Sequence, residues 1–157
     1  MINILFVCMG NICRSPSAEG FFARALNGSA YRDQIAIDSA GTHGYHVGYE
    51  PDNRAVDTAQ SFGVDIRHLR ARKVCVEDFN RFDLIVAMDR SNLEDLQAMQ
   101  PAGTKARLVS MMDYHPERQP REVPDPYYGG MRGFSYMCEL LQAATQGLLE
   151  EVEGQLD

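Results

Sequence analysis

The chain contains no tryptophan, only four cysteines among its 157 residues, and fewer basic than acidic side chains, 15 against 22. Four thiols are too few for the disulfide framework of a small secreted scaffold, so Cys8, Cys13, Cys75 and Cys138 are expected as free thiols in a reducing compartment. A formal net charge of −7 gives a surface field that repels nucleic acid and anionic membrane, and neither is expected as a partner. No apolar run approaches the roughly 18 residues of a membrane helix. The apolar opening Ile4–Cys8 lacks a basic leader and is too short for a signal peptide. The expected compartment is therefore the cytoplasm. Internal repeats, low-complexity tracts and linker-like stretches are also missing, which argues against more than one domain.

With 45% hydrophobic and 24% charged residues, the chain can bury a core of its own and fold as a single domain spanning 1–157. Residues 2–7, Ile-Asn-Ile-Leu-Phe-Val, read as a strand buried on both faces. Ser15-Pro16 then reads as a helix cap, with Ala18, Phe21, Phe22, Ala25 and Leu26 at helical spacing behind it. A second strand is expected at Ile35–Ser39, a Gly- and His-rich loop from Gly41 to Gly48, and a helix from Pro51 to Phe62 that stops at Gly63. Asp83–Met88 is a third buried strand, followed by a helix carrying Leu93, Leu96 and Met99. Residues 106–112 make a fourth strand and 113–133 a loop. From Phe134, the series Met137, Cys138, Leu141, Ala144, Leu148 and Val152 traces a long amphipathic helix. This alternation predicts an α/β parallel sheet covered on both sides, with ligands bound beyond the carboxyl ends of its strands. The basic run Arg67–Lys73 and the acidic C-terminal stretch read as solvated surface. Cys75 and Cys138 read as core thiols.

The loop Cys8-Met9-Gly10-Asn11-Ile12-Cys13-Arg14-Ser15 lies at that carboxyl edge, on a helix N-terminus. Backbone amides and the helix dipole make such a place an anion site, and Gly10-Asn11 can take the left-handed conformations that turn several amides inward. The features that attract a phosphate also favour the thiolate of Cys8, the reactive form of a cysteine nucleophile. Six positions on, Arg14 can fold back over the loop and grip two phosphate oxygens with its planar fork. A rival reading, metal binding by Cys8 and Cys13 with His43 and His46, fails on the cysteine spacing and on the repulsion from Arg14, so no metal or other cofactor is expected. Pro124-Asp125-Pro126 is by itself either a rigid turn or a place to hold an acid.

Five separated stretches carry a family resemblance: Val7–Pro16, Asp38–Thr42, His46–Gly48 with Pro51-Asp52, Phe82–Asp89, and Asp125-Pro126-Tyr127-Tyr128-Gly129-Gly130. In these the chain resembles the low-molecular-weight protein tyrosine phosphatases of bacterial type. The resemblance implies a three-layer flavodoxin-like fold with a four-stranded parallel sheet, and metal-independent hydrolysis of phosphotyrosine. Cys8 would be the nucleophile. Arg14 and the loop residues Met9, Gly10, Asn11, Ile12, Cys13 and Ser15 would bind the phosphate, and Asp125 would serve as general acid and then base. Ser15 matches a hydroxyl near the thiolate, though its place suits a helix cap equally well. Asn11, Ser39 and His68 resemble a hydrogen-bonded set that fixes the loop, Tyr45 one wall of the substrate cleft, and Tyr127 or Tyr128 the other. Cys13 matches the family's redox partner of the nucleophile.

The implied partners are phosphotyrosine proteins, with a bacterial tyrosine kinase as the opposing enzyme, and the chain is expected as a monomer or weak dimer. Three alternatives stand beside this. Arsenate reduction on the same fold needs further cysteines near the site and lacks the Asp-Pro-Tyr-Tyr loop. Phosphoarginine hydrolysis goes with threonine where this chain has Ile12. A non-catalytic phosphotyrosine-binding module would have lost one of Cys8, Arg14 and Asp125, and all three are present. Glu50 and Met131-Arg132 depart from the family pattern and bear on the surroundings of the substrate.

Overall fold

Apolar side chains that alternate along a strand and stay apolar on both faces require cover on both sides, and the chain supplies it from its helices. The computed structural model describes all 157 residues, apart from the side chain of Tyr128. Strands β1 (Ile2–Cys8), β2 (Ile35–Gly41), β3 (Leu84–Ala87) and β4 (Arg107–Ser110) form one parallel sheet in the order β2-β1-β3-β4. Ile4, Phe6 and Cys8 of β1 face α1 (Arg14–Asn27), α2 (Asn53–Ser61) and the long α5 (Gly130–Leu156). Leu5 and Val7 face the smaller layer of α3 (Asp78–Arg81) and α4 (Arg90–Met99), with Phe79, Phe82 and Leu96 beneath them. This is the three-layer α/β architecture expected from the sequence, and β1 lies inside the sheet, where the loop after it meets the crevice. No helix among the described residues is long and apolar enough to cross a membrane.

Several boundaries differ from the sequence reading for identifiable reasons. The fourth strand covers only Arg107–Ser110, because the chain winds into a 3-10 turn at Met111–Tyr114. Within the expected 113–133 loop, a second 3-10 turn forms at Pro126–Tyr128, and α5 begins at Gly130. The four-residue helix α3 was too short to leave a periodic pattern. Helix α1 starts at Arg14, so Ser15 lies inside the first turn and is not its cap; the cap position falls to Cys13, which gives the turn no side-chain hydrogen bond. Cys138 is buried as expected, but Cys75 is exposed and sits beside Asp78.

The basic run is more than a solvated face. Arg72 donates Nη1 and Nη2 to the two oxygens of Asp78 at 3.0 and 3.1 Å, and Nε to Asp38 at 3.1 Å. Asp78 is fully buried. This pairing fixes the segment beside the end of β2, where Arg72 accepts from the Gly41 N–H and Val74 donates to the Gly41 carbonyl.

Burial pushes the Asp78 carboxyl up, but the Arg72 guanidinium and the Cys75 N–H outweigh it and hold the group below its usual range. A carboxylate depressed by folding contributes stability in full above its unfolded value, about 3.9, and loses it as pH falls through its lower folded value. The melting temperature should therefore drop steeply below about pH 4. Asp78→Asn should flatten that acid limb and cost about 1–3 kcal/mol at neutral pH, both read from thermal melts across pH.

Candidate active site

The turn that follows β1 is built so that amide groups point inward. Asn11 sits at φ 57°, a left-handed conformation rare outside glycine, and its N–H donates to Cys8 Sγ at 3.3 Å. The Ser15 N–H reaches the same sulfur at 3.5 Å, and the Ser15 hydroxyl lies 3.0 Å from it. Gly10 does not share the left-handed turn; its lack of a side chain matters because a Cβ there would stand 3.0 Å from the His46 ring. Gly41 at the end of β2 has the same character, since a Cβ would come within 2.7 Å of the Met9 carbonyl oxygen.

The left-handed Asn11 is held by its own amide. Its Oδ1 accepts from the Arg72 N–H at 3.0 Å, and its Nδ2 donates to Ser15 Oγ at 2.7 Å and Ser39 Oγ at 3.1 Å. Ser39 in turn donates to Glu19 Oε1 at 2.7 Å. Of the set the resemblance implied, the structure brings Asn11 and Ser39 together, with Ser15 joining them beside the Cys8 sulfur, but His68 is not among them. Its side chain is exposed on the surface segment after α2, and the backbone N–H of Arg72 takes the place on Asn11 expected of it.

Arg14 is buried, 3% exposed, at the floor of the cleft. Its Nη1 donates to Asp89 Oδ2 at 2.6 Å and to the Val123 carbonyl at 3.0 Å, while Nη2 lies 3.7 Å from Asp125 Oδ2. Burial opposes the guanidinium charge, but negative charge at Cys8, Asp89 and Asp125 more than offsets it. The sequence reading named Asp89 only as the end of the matching stretch Phe82–Asp89. In the structure its other oxygen accepts from the Asn92 N–H at 2.7 Å, and the Asn92 side chain accepts from the Asp89 N–H, a capping box for α4. The Asp-x-x-Asn spacing was readable as a cap; nothing in the sequence showed that one carboxylate would serve a helix and Arg14 together.

Asp125 stands across from Cys8 on the segment before α5, its Oδ1 accepting from the Tyr127 N–H at 3.0 Å and its other oxygen turned toward Arg14. This segment is tied to the cysteine loop through two residues to which the sequence reading gave no role. The Asp52 N–H donates to the Ile12 carbonyl at 2.9 Å, and the Asp52 carboxylate caps α2 and pairs with Arg54 at 3.0 Å. The Arg54 guanidinium lies over the Tyr127 ring, 5.1 Å from its centroid, and donates to the Tyr127 carbonyl at 3.3 Å.

These parts enclose a cleft of about 350 Å³ lined by Cys8, Arg14, Asp125, Tyr45, His46 and Tyr127, together with Met9, Gly10, Ile12 and Cys13. Tyr45 is 74% exposed and stacks on His43 at 5.4 Å; Tyr127, also in the lining, is 44% exposed. The Tyr128 side chain lies outside the described residues. Burial pushes the Cys13 thiol well above its ordinary range, with Asp52 adding to the effect, while burial drives Cys138 up to about 12. Both Cys8 and Cys13 are free thiols. No cluster of metal ligands occurs among the described residues.

The fold and loop together define an α/β domain that presents a thiol, a buried guanidinium and a facing carboxyl to one anion-sized crevice. Comparison with known proteins agrees. A family model described as low molecular weight phosphotyrosine protein phosphatase matches residues 3–157, and the chain belongs to that family. It is 43% identical over 156 residues to a Synechocystis sp. protein assigned to the low molecular weight protein-tyrosine-phosphatases, covering 99% of each. It is 35% identical over 153 residues to the low molecular weight protein-tyrosine-phosphatase YfkJ of Bacillus subtilis, covering 98% of this chain and 97% of YfkJ. Among solved structures, a protein tyrosine phosphatase from Entamoeba histolytica, crystallised with Hepes in its active site, superposes with a TM-score of 0.94 at 36% identity, covering 100% of both chains.

Asp89→Asn separates the two jobs of that carboxylate. Asparagine keeps one acceptor oxygen for the cap but sets an N–H donor against the buried Arg14 guanidinium, so stability should fall by about 1–3 kcal/mol. Arg14 loses its charged partner, and affinity for inorganic phosphate measured by calorimetry should fall by about tenfold.

Proposed function

We propose that the chain is a metal-independent protein-tyrosine phosphatase acting through a cysteinyl-phosphate. The observation that carries this reading is the convergence of two N–H groups and a hydroxyl on Cys8 Sγ, with Arg14 and Asp125 facing the same cleft. Donors aimed at sulfur favour its thiolate, and the same donors are placed for oxygens carrying negative charge.

Cys8 attacks phosphorus in line with the ester oxygen, forming the S–P bond as the P–O bond breaks. Arg14 and the amides of the loop, Met9 to Ser15, bind the equatorial oxygens and the charge that grows on them. Asp125 gives its proton to the departing phenolate. It then takes a proton from water, which attacks phosphorus, breaks the S–P bond and releases inorganic phosphate and the Cys8 thiolate. The positive end of α1 and the Arg14 guanidinium supply the charge neutralisation that a metal would supply elsewhere.

The cleft selects an aromatic ester. Tyr45 and Tyr127 both line the cleft, where a phenyl ring can pack against them and carry its phosphate to the loop; the short stem of phosphoserine would leave its phosphate above the loop. Ile12, an apolar lining residue, suits the phenyl ring better than a cationic phosphoguanidine. A tyrosine kinase is the class of enzyme that must supply such a substrate. Cys13, adjoining the nucleophile in the loop, is the partner for a protective disulfide with Cys8 under oxidation.

The test is phosphate release from a phosphotyrosine peptide, with phosphoserine and phosphoarginine controls, under chelator and fresh reductant. Wild type should turn over phosphotyrosine alone, Cys8→Ser should lose turnover, and Asp125→Asn should slow esters of poor leaving groups by about 10²- to 10⁴-fold. Undiminished turnover in Cys8→Ser would refute the mechanism. Binding of the peptide without turnover by folded, reduced wild type would make the chain a recognition module.

A further inference from the structure

The stretch Pro124-Asp125-Pro126 has few means of its own to stay in place. Neither proline has an N–H to give, and the Asp125 side chain is 34% exposed. The stretch is held at its two ends instead. Upstream, the Val123 N–H donates to the Met88 carbonyl at 2.9 Å, just past β3, and the Val123 carbonyl accepts from Arg14 at 3.0 Å. Downstream, Asp125 Oδ1 accepts from the Tyr127 N–H at 3.0 Å, so the place of Tyr127 decides which carboxyl oxygen is turned to the cleft. Tyr127 is in turn held twice by one side chain. Arg54 Nη1 donates to its carbonyl at 3.3 Å, and the Arg54 guanidinium lies 5.1 Å from the centroid of its ring.

We propose that Arg54, which does not line the cleft, is a positioning residue for the general acid Asp125. Its planar group is itself fixed. Nε and Nη2 grip the two oxygens of Asp52, each at 3.0 Å, and the buried Phe134 ring near the start of α5 has its centroid 4.8 Å from the guanidinium carbon. Asp52 is anchored by its own N–H on the Ile12 carbonyl at 2.9 Å. A guanidinium suits this place because one edge can chelate a carboxylate, a remaining nitrogen can donate to a carbonyl, and its face can lie on aromatic rings. Through Tyr127, Arg54 sets the short turn Pro126–Tyr128 that aims the second Asp125 oxygen into the cleft. Without the fork, that turn loses its hold on α2 and the carboxyl drifts from the leaving group.

The step at stake is the transfer of the Asp125 proton to the ester oxygen as the P–O bond breaks and the S–P bond forms, and proton transfer tolerates little displacement. A brace for the whole cleft would weaken every ester alike. A residue that acts through Asp125 weakens only those esters whose leaving oxygen needs a proton. Phenyl phosphate is of this kind, since a phenol such as that of tyrosine holds its proton to about pH 10. The dinitrophenyl ester is not, because its nitro groups stabilise the departing phenolate.

The inference rests on Asp125 being the general acid, and its test carries a control for that reading. The ratio kcat/KM, which reads the passage from free enzyme to phosphorylated Cys8, is measured on phenyl and dinitrophenyl phosphate. Wild type, Arg54→Met, Asp125→Asn and the double variant are compared, with folding checked by thermal melting. Arg54→Met should lose about tenfold on phenyl phosphate and less than about twofold on the dinitrophenyl ester. Added to Asp125→Asn, it should cost no further rate on either ester, because both changes remove the same contribution. Equal losses on the two esters, full activity of Arg54→Met on phenyl phosphate, or a further loss in the double variant would overturn the proposal. Should Arg54→Met not fold, Arg54→Lys takes its place: lysine keeps the charge but has no fork to span Asp52 and the Tyr127 carbonyl, and it must show the same selective loss. Phenyl phosphate cleaved by Asp125→Asn as fast as by wild type would remove the acid reading and this proposal with it. Selectivity in Asp125→Asn without selectivity in Arg54→Met would overturn the proposal alone.

Discussion

Everything in the site depends on a sulfur atom receiving backbone N–H groups from a loop that doubles back on it. Sulfur is a weak acceptor, so it does not hold such a turn alone. The backbone reaches it only because Asn11 adopts a conformation unfavourable to a residue with a side chain, and that strain persists because the surroundings over-determine it. Three hydrogen bonds to one amide, the close approach of the Met9 carbonyl to Gly41 and the close seat of His46 over Gly10 all serve this turn. Ser39 of β2, Arg72 after α2 and Ser15 at the start of α1 thus meet at the Asn11 side chain behind the loop.

Charge is distributed with similar economy. The chain carries a net charge of −7, yet its crevice is lined at the floor by a buried guanidinium and by the positive end of a helix. Arg14 stays there because Asp89 and the Val123 carbonyl replace the water it has lost. Asp89 divides its oxygens between the cap of α4 and Arg14, which joins the ends of two helices on opposite faces of the sheet. The Asp52–Arg54 pair does comparable work on the other side, joining the cysteine loop at Ile12 to the acid-bearing segment at Tyr127.

The fold was largely legible because period and burial agree: β1 and β3 read as buried runs, and α5 as one long apolar stripe, since each packs through a large repeating surface. Cys8, Arg14 and Ser15 were legible as one group because they share a short loop with local geometry. Asp89, Asp52, Arg54 and Glu19 were not, because their roles arise where the chain crosses itself, and local spacing carries no record of such meetings. Ser15 and His68 fail for related reasons. A serine before a proline does suit a helix cap, but the demand of Asn11 and Cys8 for its hydroxyl is stronger; and a histidine side chain was expected where a backbone amide suffices.

The strand order has a consequence for how the protein comes into being. The first strand emerges from the ribosome carrying the thiol, but it occupies an interior place in the sheet, with β3 on one side and β2 on the other. The facing carboxyl follows only at Asp125, and the helix that covers α1 ends at Leu156. A nascent chain therefore exposes its cysteine long before it owns a crevice to shelter it, and the complete constellation arrives only with synthesis of the last helix. The thiol, the facing carboxyl and the helix that covers α1 are thus far apart along the chain, and the crevice exists only where all three meet.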